Sequence, residues 1–518
     1  MSEILLATLN AKYLHASFGL RYLLANMGDL RDRTRIKELD INQRVTDAAE
    51  ILLSHDPKIL GLSVYIWNAA PMKELVAILK RLRPDLTIVL GGPEVSHETE
   101  AQTITALADY TIIGEADLAF ADLCRKILAN DAPATKILRP PLPDLETLKL
   151  PYDEYTGEDA AHRVIYVEAS RGCPYRCEFC LSSLDEKVRA FDTGEFLAQM
   201  QRLLDRGVRQ FKFVDRTFNL NVATSQQILE FFLQNDRDGL FVHFEMVPDR
   251  LPEALREVIR RFRPGVLQFE VGVQTLDPKV EALVSRRQNH QKLEDNFRFL
   301  RGETGVHVHA DLIAGLPGQT LASFAQSFDT LLAYGPEEIQ VGILKRLRGT
   351  PIIRHELAHQ MIYAPEPPYE VLSTSTLDFQ TLQRLKRFAK FWDVYSNSGR
   401  FKLTLSLLFD TVSPFGAFLA FSDWLHENGA KPSGVALNRQ IALIGEYLKR
   451  THGEQEVKSA LVADYQRSGQ ETGKRDALDW LFAEEGTSAA TQTRHSRRQE
   501  QHAKREPPPR PSSSTPTP

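Results

Sequence analysis

The run Ser170-Arg171-Gly172-Cys173-Pro174-Tyr175-Arg176-Cys177-Glu178-Phe179-Cys180 holds three of the chain's four cysteines and follows directly on an apolar, strand-like stretch, Val164-Ile-Tyr-Val-Glu-Ala169. Three thiolates spaced CxxxCxxC on one tight loop can ligate three irons of a cubane cluster. The full complement for such a cluster is four cysteines, so one iron stays open to a substrate or cofactor. The competing readings are a structural zinc knuckle, a disulfide and coincidence. Structural zinc closes a four-ligand shell from paired motifs, and the sequence has no second pair. A disulfide framework does not suit a chain of 518 residues in which no signal peptide is recognised. Cys124, in Asp122-Leu-Cys-Arg-Lys-Ile-Leu128, lies on an amphipathic helical stretch and reads as a small buried residue.

After the loop, apolar runs alternate with helix-period segments. The runs are Gln210–Asp215, Leu240–Glu245, Val266–Val273, Val306–Ile313 and Glu338–Leu344, and the clearest helices are Ser225–Leu233 and Leu321–Leu332. With Val164–Ser170 this makes six strands, a partial (β/α)6 version of the parallel TIM-type barrel, whose active site belongs at the strand C-terminal ends. Asp215, Glu270, Gln274 and the segment Asp311-Leu-Ile-Ala-Gly-Leu-Pro-Gly-Gln-Thr320 stand at those ends. The two-residue period of a strand puts Glu270, Gly272 and Gln274 on one face. Asp215 reads either as a ligand contact or as a turn or cap residue. His307 and His309 share a face and read as hydrogen-bonded barrel histidines rather than as a metal pair.

Before the loop, Ile4–Thr8, Ile36–Ile41, Ile59–Val64, Thr87–Leu90 and Tyr110–Gly114 alternate with helical segments Leu20–Leu24, Ala48–Leu53, Met72–Leu82 and Leu118–Leu128. Five strands with crossover helices form an open, parallel, doubly wound Rossmann-like (flavodoxin-like) sheet, which binds ligands beyond the carboxyl ends of its strands. Ser63, Gly91, Gly92, Gly114 and Glu115 lie there, and the small residues let a bulky planar ligand approach the backbone. Beyond about Pro365 the pattern turns helical, clearest over Leu377–Trp392 and Val435–Leu448. Trp392, Tyr395 and Asn397 could reach a ligand there, but aromatics at helical spacing are more often core. From Gly486 the composition is rich in Ser, Thr, Pro, Arg and Gln, which predicts a disordered tail with a solvated basic cluster at Arg494–Arg498. The expected division is residues 1–135, a linker over 136–160, a barrel over 161–365, a helical extension over 366–485 and a tail over 486–518.

Hydrophobic content of 42% and charged content of 25% are those of a globular protein, and a net charge of −5 argues against a dominant nucleic-acid surface. No apolar run is long enough to span a bilayer, so the expectation is no membrane partner and a cytoplasmic location.

The CxxxCxxC loop, following its strand, resembles that of the radical S-adenosylmethionine (SAM) superfamily. The resemblance implies that Cys173, Cys177 and Cys180 hold a [4Fe-4S] cluster whose open iron chelates SAM. It also implies that Asp215 contacts the methionyl amine, that Glu270 and Gln274 contact the ribose or carboxylate, and that Gly315, Leu316 and Pro317 lie on the adenine side. The first half resembles the cobalamin-binding domain that precedes many radical SAM domains, on the strength of Ser63–Asn68, Gly91-Gly-Pro-Glu94 and Ile113-Gly-Glu-Ala-Asp117. That likeness implies cobalamin at Ser63, Gly91, Gly92, Gly114 and Glu115. The DxHxxG signature of cobalt-ligating histidines is absent, since the corresponding loop reads Lys12-Tyr-Leu-His15-Ala-Ser-Phe-Gly19, and His15 reads as a surface-loop histidine. Arg348-Gly-Thr-Pro-Ile352 is similar to the segment that ends such barrels, or is simply a Gly-Pro turn. Phe391–Phe401 resembles a C-terminal extension of one uncharacterised subgroup.

Taken together, the resemblance implies an enzyme that reductively cleaves SAM to a 5′-deoxyadenosyl radical. The leading form is a cobalamin-dependent methyltransferase acting on an unreactive carbon of an unidentified small-molecule substrate, served by a flavodoxin- or ferredoxin-type electron donor. The alternatives are an oxidative cyclase or rearrangement enzyme with the same cofactors, and a non-enzymatic cobalamin-responsive or RNA-binding module.

Overall fold

The computed structural model describes residues 3–467 apart from 186, 411–412 and 432–433, so the expected tail and its basic cluster lie outside the described residues. Strands β1 (Ile4–Asn10), β2 (Thr34–Asp40), β3 (Ile59–Ser63), β4 (Thr87–Gly91), β5 (Tyr110–Ile112) and β6 (Ile137–Leu138) form one parallel sheet in the order β2-β1-β3-β4-β5-β6. β1 is buried on both faces. Leu5 and Ala7 pack with the helices Val45–Leu53 and Ala69–Leu82, while Ile4 and Leu6 pack with Phe18–Ala25 and Ala119–Leu128. The order reverses between β1 and β3, which is the switch point where such sheets bind ligands. β6 falls in the segment read as linker; a two-residue strand is too short to show a period in the sequence. Cys124 is fully buried on the second face, where burial pushes its thiol up to about 12, as the reading of a packing residue requires.

The second sheet consists of β7 (Ile165–Val167), β10 (Gln210–Phe213), β11 (Phe241–Met246), β12 (Leu267–Gln274), β13 (His307–Ala314) and β14 (Glu338–Ile343). Its order is β14-β13-β12-β11-β10-β7, every pairing is parallel, and β7 does not pair with β14, so the barrel is open on that side. Between β7 and β10 a short antiparallel pair, β8 (Ser170–Arg171) with β9 (Arg189–Ala190), brackets the cysteine loop. Along β12, Leu267, Phe269, Val271 and Val273 are buried, and Gln268, Glu270, Gly272 and Gln274 alternate with them on the partly open face. The crossover helices start on side-chain caps that satisfy backbone N–H groups, from Asp192 to Glu195, Asn221 to Thr224, and Thr320 to Ser323.

The extension opens with the hairpin β15 (Ile362–Tyr363) and β16 (Val371–Ser373) and continues as helices from Phe379 to Arg467. Trp392 and Tyr395 are core residues. Trp392 meets Phe328, Phe388 and Phe418, and Tyr395 meets Phe401 and Phe421. The Asn397 carboxamide accepts from the Ile339 N–H and donates to the Ile339 carbonyl, 3.0 Å each, standing in for a neighbouring strand on β14. Trp392, Tyr395 and Asn397 line none of the three cavities described below, and among the described residues the extension shares one continuous core with the barrel.

Ion pairs join the first sheet to the barrel. Arg21 and Arg163, both buried, bind Glu38 and Asp159. Arg348 binds Glu94 at 2.9 Å, Glu98 and the Tyr369 hydroxyl. The Arg348-Gly-Thr-Pro turn is therefore an interdomain contact, and at Gly349 a Cβ would come within 2.4 Å of the His97 ring. His15 corrects the reading of a surface loop. It is half-buried between the domains, 2.7 Å from the Tyr166 hydroxyl through Nδ1, and burial lowers its pKa.

Candidate active site

Cys173, Cys177 and Cys180 are free thiols that line one cavity of about 240 Å³ at the C-terminal mouth of the barrel. Gly172 makes the turn possible. Its φ is +95°, and a Cβ would meet the Lys187 carbonyl oxygen at 2.3 Å, so only glycine lets the loop close on that strand. Glu178, almost fully buried, fixes the loop to the barrel: its carboxylate accepts from Ser285 and Arg354 and lies 2.8 Å from His355 Nε2. Burial pushes the Cys173 and Cys177 thiols up, and neighbouring cysteines add to this. Cys173 and Cys177 in this setting need a positive centre to become thiolates. Among the described residues no three His, Cys, Asp or Glu side chains converge as around a single ion; a cubane instead spreads its thiolates over three irons. The donor set fits such a cluster.

The rest of the wall sets polar and charged side chains beside Phe179, Met246, Val247 and Pro248. Arg286 donates to Cys177 Sγ at 3.5 Å and to the Gly272 carbonyl. Gln274, held at φ +70°, folds its carboxamide over Gly272, where a Cβ would come within 2.6 Å of it. Glu270 lies 3.0 Å from His243 Nε2 and 3.6 Å from Lys212; burial alone would raise its carboxyl, but the hydrogen bond from His243 and the Lys212 charge hold it low. Asp311 faces the same cavity with Oδ1 lacking a hydrogen bond, and burial together with the charges of Glu270 and Glu245 raises its pKa. Arg286 and Glu178 were missed in the sequence: an arginine after a helix and a glutamate inside a cysteine motif carry no signal until the fold brings them to the loop.

Glu270 and Gln274 therefore stand where the sequence puts them, whereas four other residues do not line this cavity. Asp215 is buried behind it and accepts from the Ala169 N–H at 3.0 Å and the Ser170 hydroxyl at 2.6 Å. It braces the strand that leads into the loop, and Arg216 and Thr217 reach the cavity in its place. Gly315 faces the extension, and Leu316 and Pro317 beside it are buried. A Cβ on Gly315 would strike Val371 at 2.5 Å, Leu316 is fully buried, and the Gln319 carboxamide closes the turn on the Gly315 N–H and the Ile313 carbonyl. Close backbone approach here serves packing. His307 Nε2 lies 3.2 Å from Glu338 Oε1, and His309 Nε2 lies 3.4 Å from Asp311 Oδ1.

Burial pushes the Asp215 carboxyl up to about 7, with its two hydrogen bonds only partly offsetting the cost. A folded-state pKa raised above the unfolded value means stability that is complete below about pH 4 and lost as pH rises through 7. The difference in unfolding free energy between wild type and Asp215→Asn should therefore move against wild type from pH 5 to pH 8, by on the order of 3 kcal/mol. A difference independent of pH across that window would mean that Asp215 ionises freely.

The second cavity, about 260 Å³, lies beyond the carboxyl ends of β3, β4 and β5 and is lined by Ser63, Gly91, Gly92, Gly114 and Glu115 together. At Gly114 a Cβ would meet nothing within 4 Å, and at Gly91 only a carbonyl oxygen at 4.0 Å, so both leave open space for a ligand. The Glu115 carboxylate is already engaged, by Arg171 at 2.8 Å and by Arg189. Arg171 also holds Asp117 and Glu168 and lies over the Tyr22 ring at 4.6 Å. One residue beyond Arg171 the backbone enters Gly172 and the cysteine loop, so the chain that lines the second cavity at Arg171 runs on into the first at Cys173.

Comparison with known proteins agrees with this geometry. Residues 4–124 match the B12 binding domain family, residues 167–331 the radical SAM superfamily, and residues 357–508 a family of unknown function, DUF4080. The chain is thus a radical SAM protein that contains a B12-binding domain and a DUF4080 extension. It is 21% identical over 371 residues to an uncharacterized methyltransferase of Pyrococcus horikoshii, covering 66% of this chain and 79% of that one. It is 22% identical to the cobalamin-dependent radical SAM methyltransferase TokK of Streptomyces tokunonensis, over 59% of this chain and only 49% of that protein. The fold is similar to that of the cobalamin-dependent SAM radical enzyme OxsB, solved with aqua-cobalamin and SAM bound, at a TM-score of 0.58 and 14% identity over 89% of this chain and 83% of that one. The cofactors of these domain classes are a [4Fe-4S] cluster, SAM and cobalamin. Among the described residues no helix is long and apolar enough to cross a membrane.

Proposed function

We propose that this chain is a cobalamin-dependent radical SAM methyltransferase that acts on an unreactive carbon of a small molecule. The observation that carries the reading is Arg171, whose guanidinium seals the wall of the glycine-lined cavity while its backbone leads straight into Cys173. When bound, the three cofactors supply an electron, a carbon-centred radical and a transferable methyl group. The chain's own residues bind and orient. Cys173, Cys177 and Cys180 would hold the cluster, and Arg286, Gln274 and Asp311 line the same cavity. Arg286 offers N–H donors to a carboxylate while its hydrogen bond tempers the charge on Cys177. The Asp311 carboxyl, pushed toward its neutral form by burial and by the charges of Glu270 and Glu245, faces the cavity where it can meet a ligand hydroxyl or carbonyl. Asp215 acts one layer back by fixing the loop's lead-in strand. A flavodoxin- or ferredoxin-type protein is the proposed electron donor.

The test is anaerobic reconstitution of the full chain with cobalamin, followed by reduction in the presence of SAM and candidate substrates. About four irons per chain, formation of 5′-deoxyadenosine and a methylated product support the reading. Deoxyadenosine with a cyclised or rearranged product and no methylation would favour the oxidative alternative, and a protein that takes up cobalamin but never cleaves SAM would favour the non-enzymatic one. Gly91→Leu separates the two cavities. Gly91 has room for a side chain, so the fold and the iron content should be kept while the new isobutyl group occupies the corrinoid space. Cobalamin retention on gel filtration should fall by roughly tenfold or more. Retention equal to wild type would place the corrinoid elsewhere.

A further inference from the structure

On the open side of the barrel, between the ends of β13 and β14 and the helix Phe379–Trp392 of the extension, lies a third cavity of about 390 Å³. Its floor is apolar, built from Ile313, Val341, Ile343, Leu347 and Phe179. Its rim carries three ammonium groups, Lys345, Lys386 and Lys390, against a single carboxylate, Glu370, which Lys386 engages. Two positive charges remain, since Lys345 and Lys390 have no carboxylate partner among the described residues. Phe179 sits between Cys177 and Cys180 and lines both this cavity and that of the cysteines. Ile313 follows Asp311 by two residues on the same face of β13. The third cavity therefore adjoins the reaction centre across one ring.

We propose that this cavity binds the substrate, and that the substrate is an anionic amphiphile with an apolar body on the floor and a carboxylate or phosphate at Lys345 and Lys390. This deepens the proposed function and rests on it for the reaction, though not for the binding. An apolar floor gains free energy only from a ligand that displaces its water. The unpaired lysines repel a cation and give a neutral head no advantage over solvent, whereas an anionic head forms charge-assisted hydrogen bonds. The apolar end of such a ligand lies toward Phe179 and so presents its carbons, not its head, to the cluster side.

The experiment is calorimetric titration of the full chain with decanoate, decyl phosphate, decanol and decyltrimethylammonium. The anions should bind about tenfold tighter than decanol, and the cation should not bind; the ratio of decanoate to decyl phosphate identifies the preferred head. The double variant Lys345→Glu/Lys390→Glu changes two exposed residues, and its melting temperature checks the fold. It should weaken decanoate about tenfold and leave decanol unchanged. Ala389→Trp, which fills the cavity from the extension side, should weaken both. Equal binding of decanoate and decanol by wild type, or undiminished decanoate binding by the double variant, overturns the proposal. Iron content and SAM cleavage measured on the same preparations keep the two readings apart. Wild type that cleaves SAM but does not prefer decanoate sinks only the substrate class, and one that prefers decanoate but never cleaves SAM sinks only the catalytic reading.

Discussion

Replacing Cys173, Cys177 or Cys180 singly with alanine should drop reconstituted iron from about four per chain to near background and take 5′-deoxyadenosine formation to the assay floor. The size of the effect follows from the site. With four cysteines in the chain and Cys124 fully buried in the packing of the first sheet against its own helices, no spare thiol can take over a lost ligand. The remaining two thiols, Cys173 and Cys177 in one case, are disfavoured as thiolates by burial and lose their compensating charge together with the metal. Fold loss does not explain the same result, because the loop is held independently by Glu178 on Ser285, Arg354 and His355, and by Asp215 on Ser170. The melting temperature of the apo variants should therefore stay close to that of apo wild type. A variant that kept its iron and its SAM cleavage would show that the three thiols are not the ligands.

The sequence reveals most about features that repeat or that need a rare residue type. The two parallel sheets are legible because β1, β12 and β13 alternate or run apolar over seven or eight residues, and the cysteine loop is legible because thiols at that spacing have few other uses. The glycine-lined cavity is legible for the same reason: Gly91 and Gly114 stand at strand ends, and there the open space is real. The sequence is ambiguous where one residue type serves two purposes. A carboxylate after a strand can face a ligand or brace the backbone, and Asp215 does the second because the Ala169 N–H and Ser170 hydroxyl converge on it. A Gly-Leu-Pro-Gly turn can admit a base or a neighbouring side chain, and Gly315 admits Val371 from a part of the chain more than fifty positions away. Glu178 and Arg286 escaped because their partners are brought to them only by the fold. Trp392 and Tyr395 went to the core, as the helical spacing favours.

Arg171→Met should be the most damaging substitution outside the cysteines, because one guanidinium holds three carboxylates from two domains. Its side chain is 13% exposed, and those of Glu115, Asp117 and Glu168 are 20%, 7% and 9% exposed. Burial opposes the arginine's charge, but Glu168 and Asp117 more than restore it. Removal leaves Asp117 and Glu168 buried beside each other without a cation, a class of change that costs about 3–5 kcal/mol. Of the three, Glu115 keeps a cationic partner, Arg189. The expected result is a melting temperature lower by roughly 5–10 °C, faster proteolysis in the 136–160 segment, and weakened cobalamin retention, with iron content less affected. Arg171→Lys keeps one charge but cannot reach three acceptors at once, so it should fall between the two. The same logic gives the rescue. In the Arg171→Met background, Asp117→Asn together with Glu168→Gln removes the stranded charges and should recover much of the lost stability, while cobalamin retention recovers only if the wall closes again. A single Arg171→Met protein that melts with wild type would mean that these carboxylates are solvated, and that the two domains are not joined through the cysteine loop.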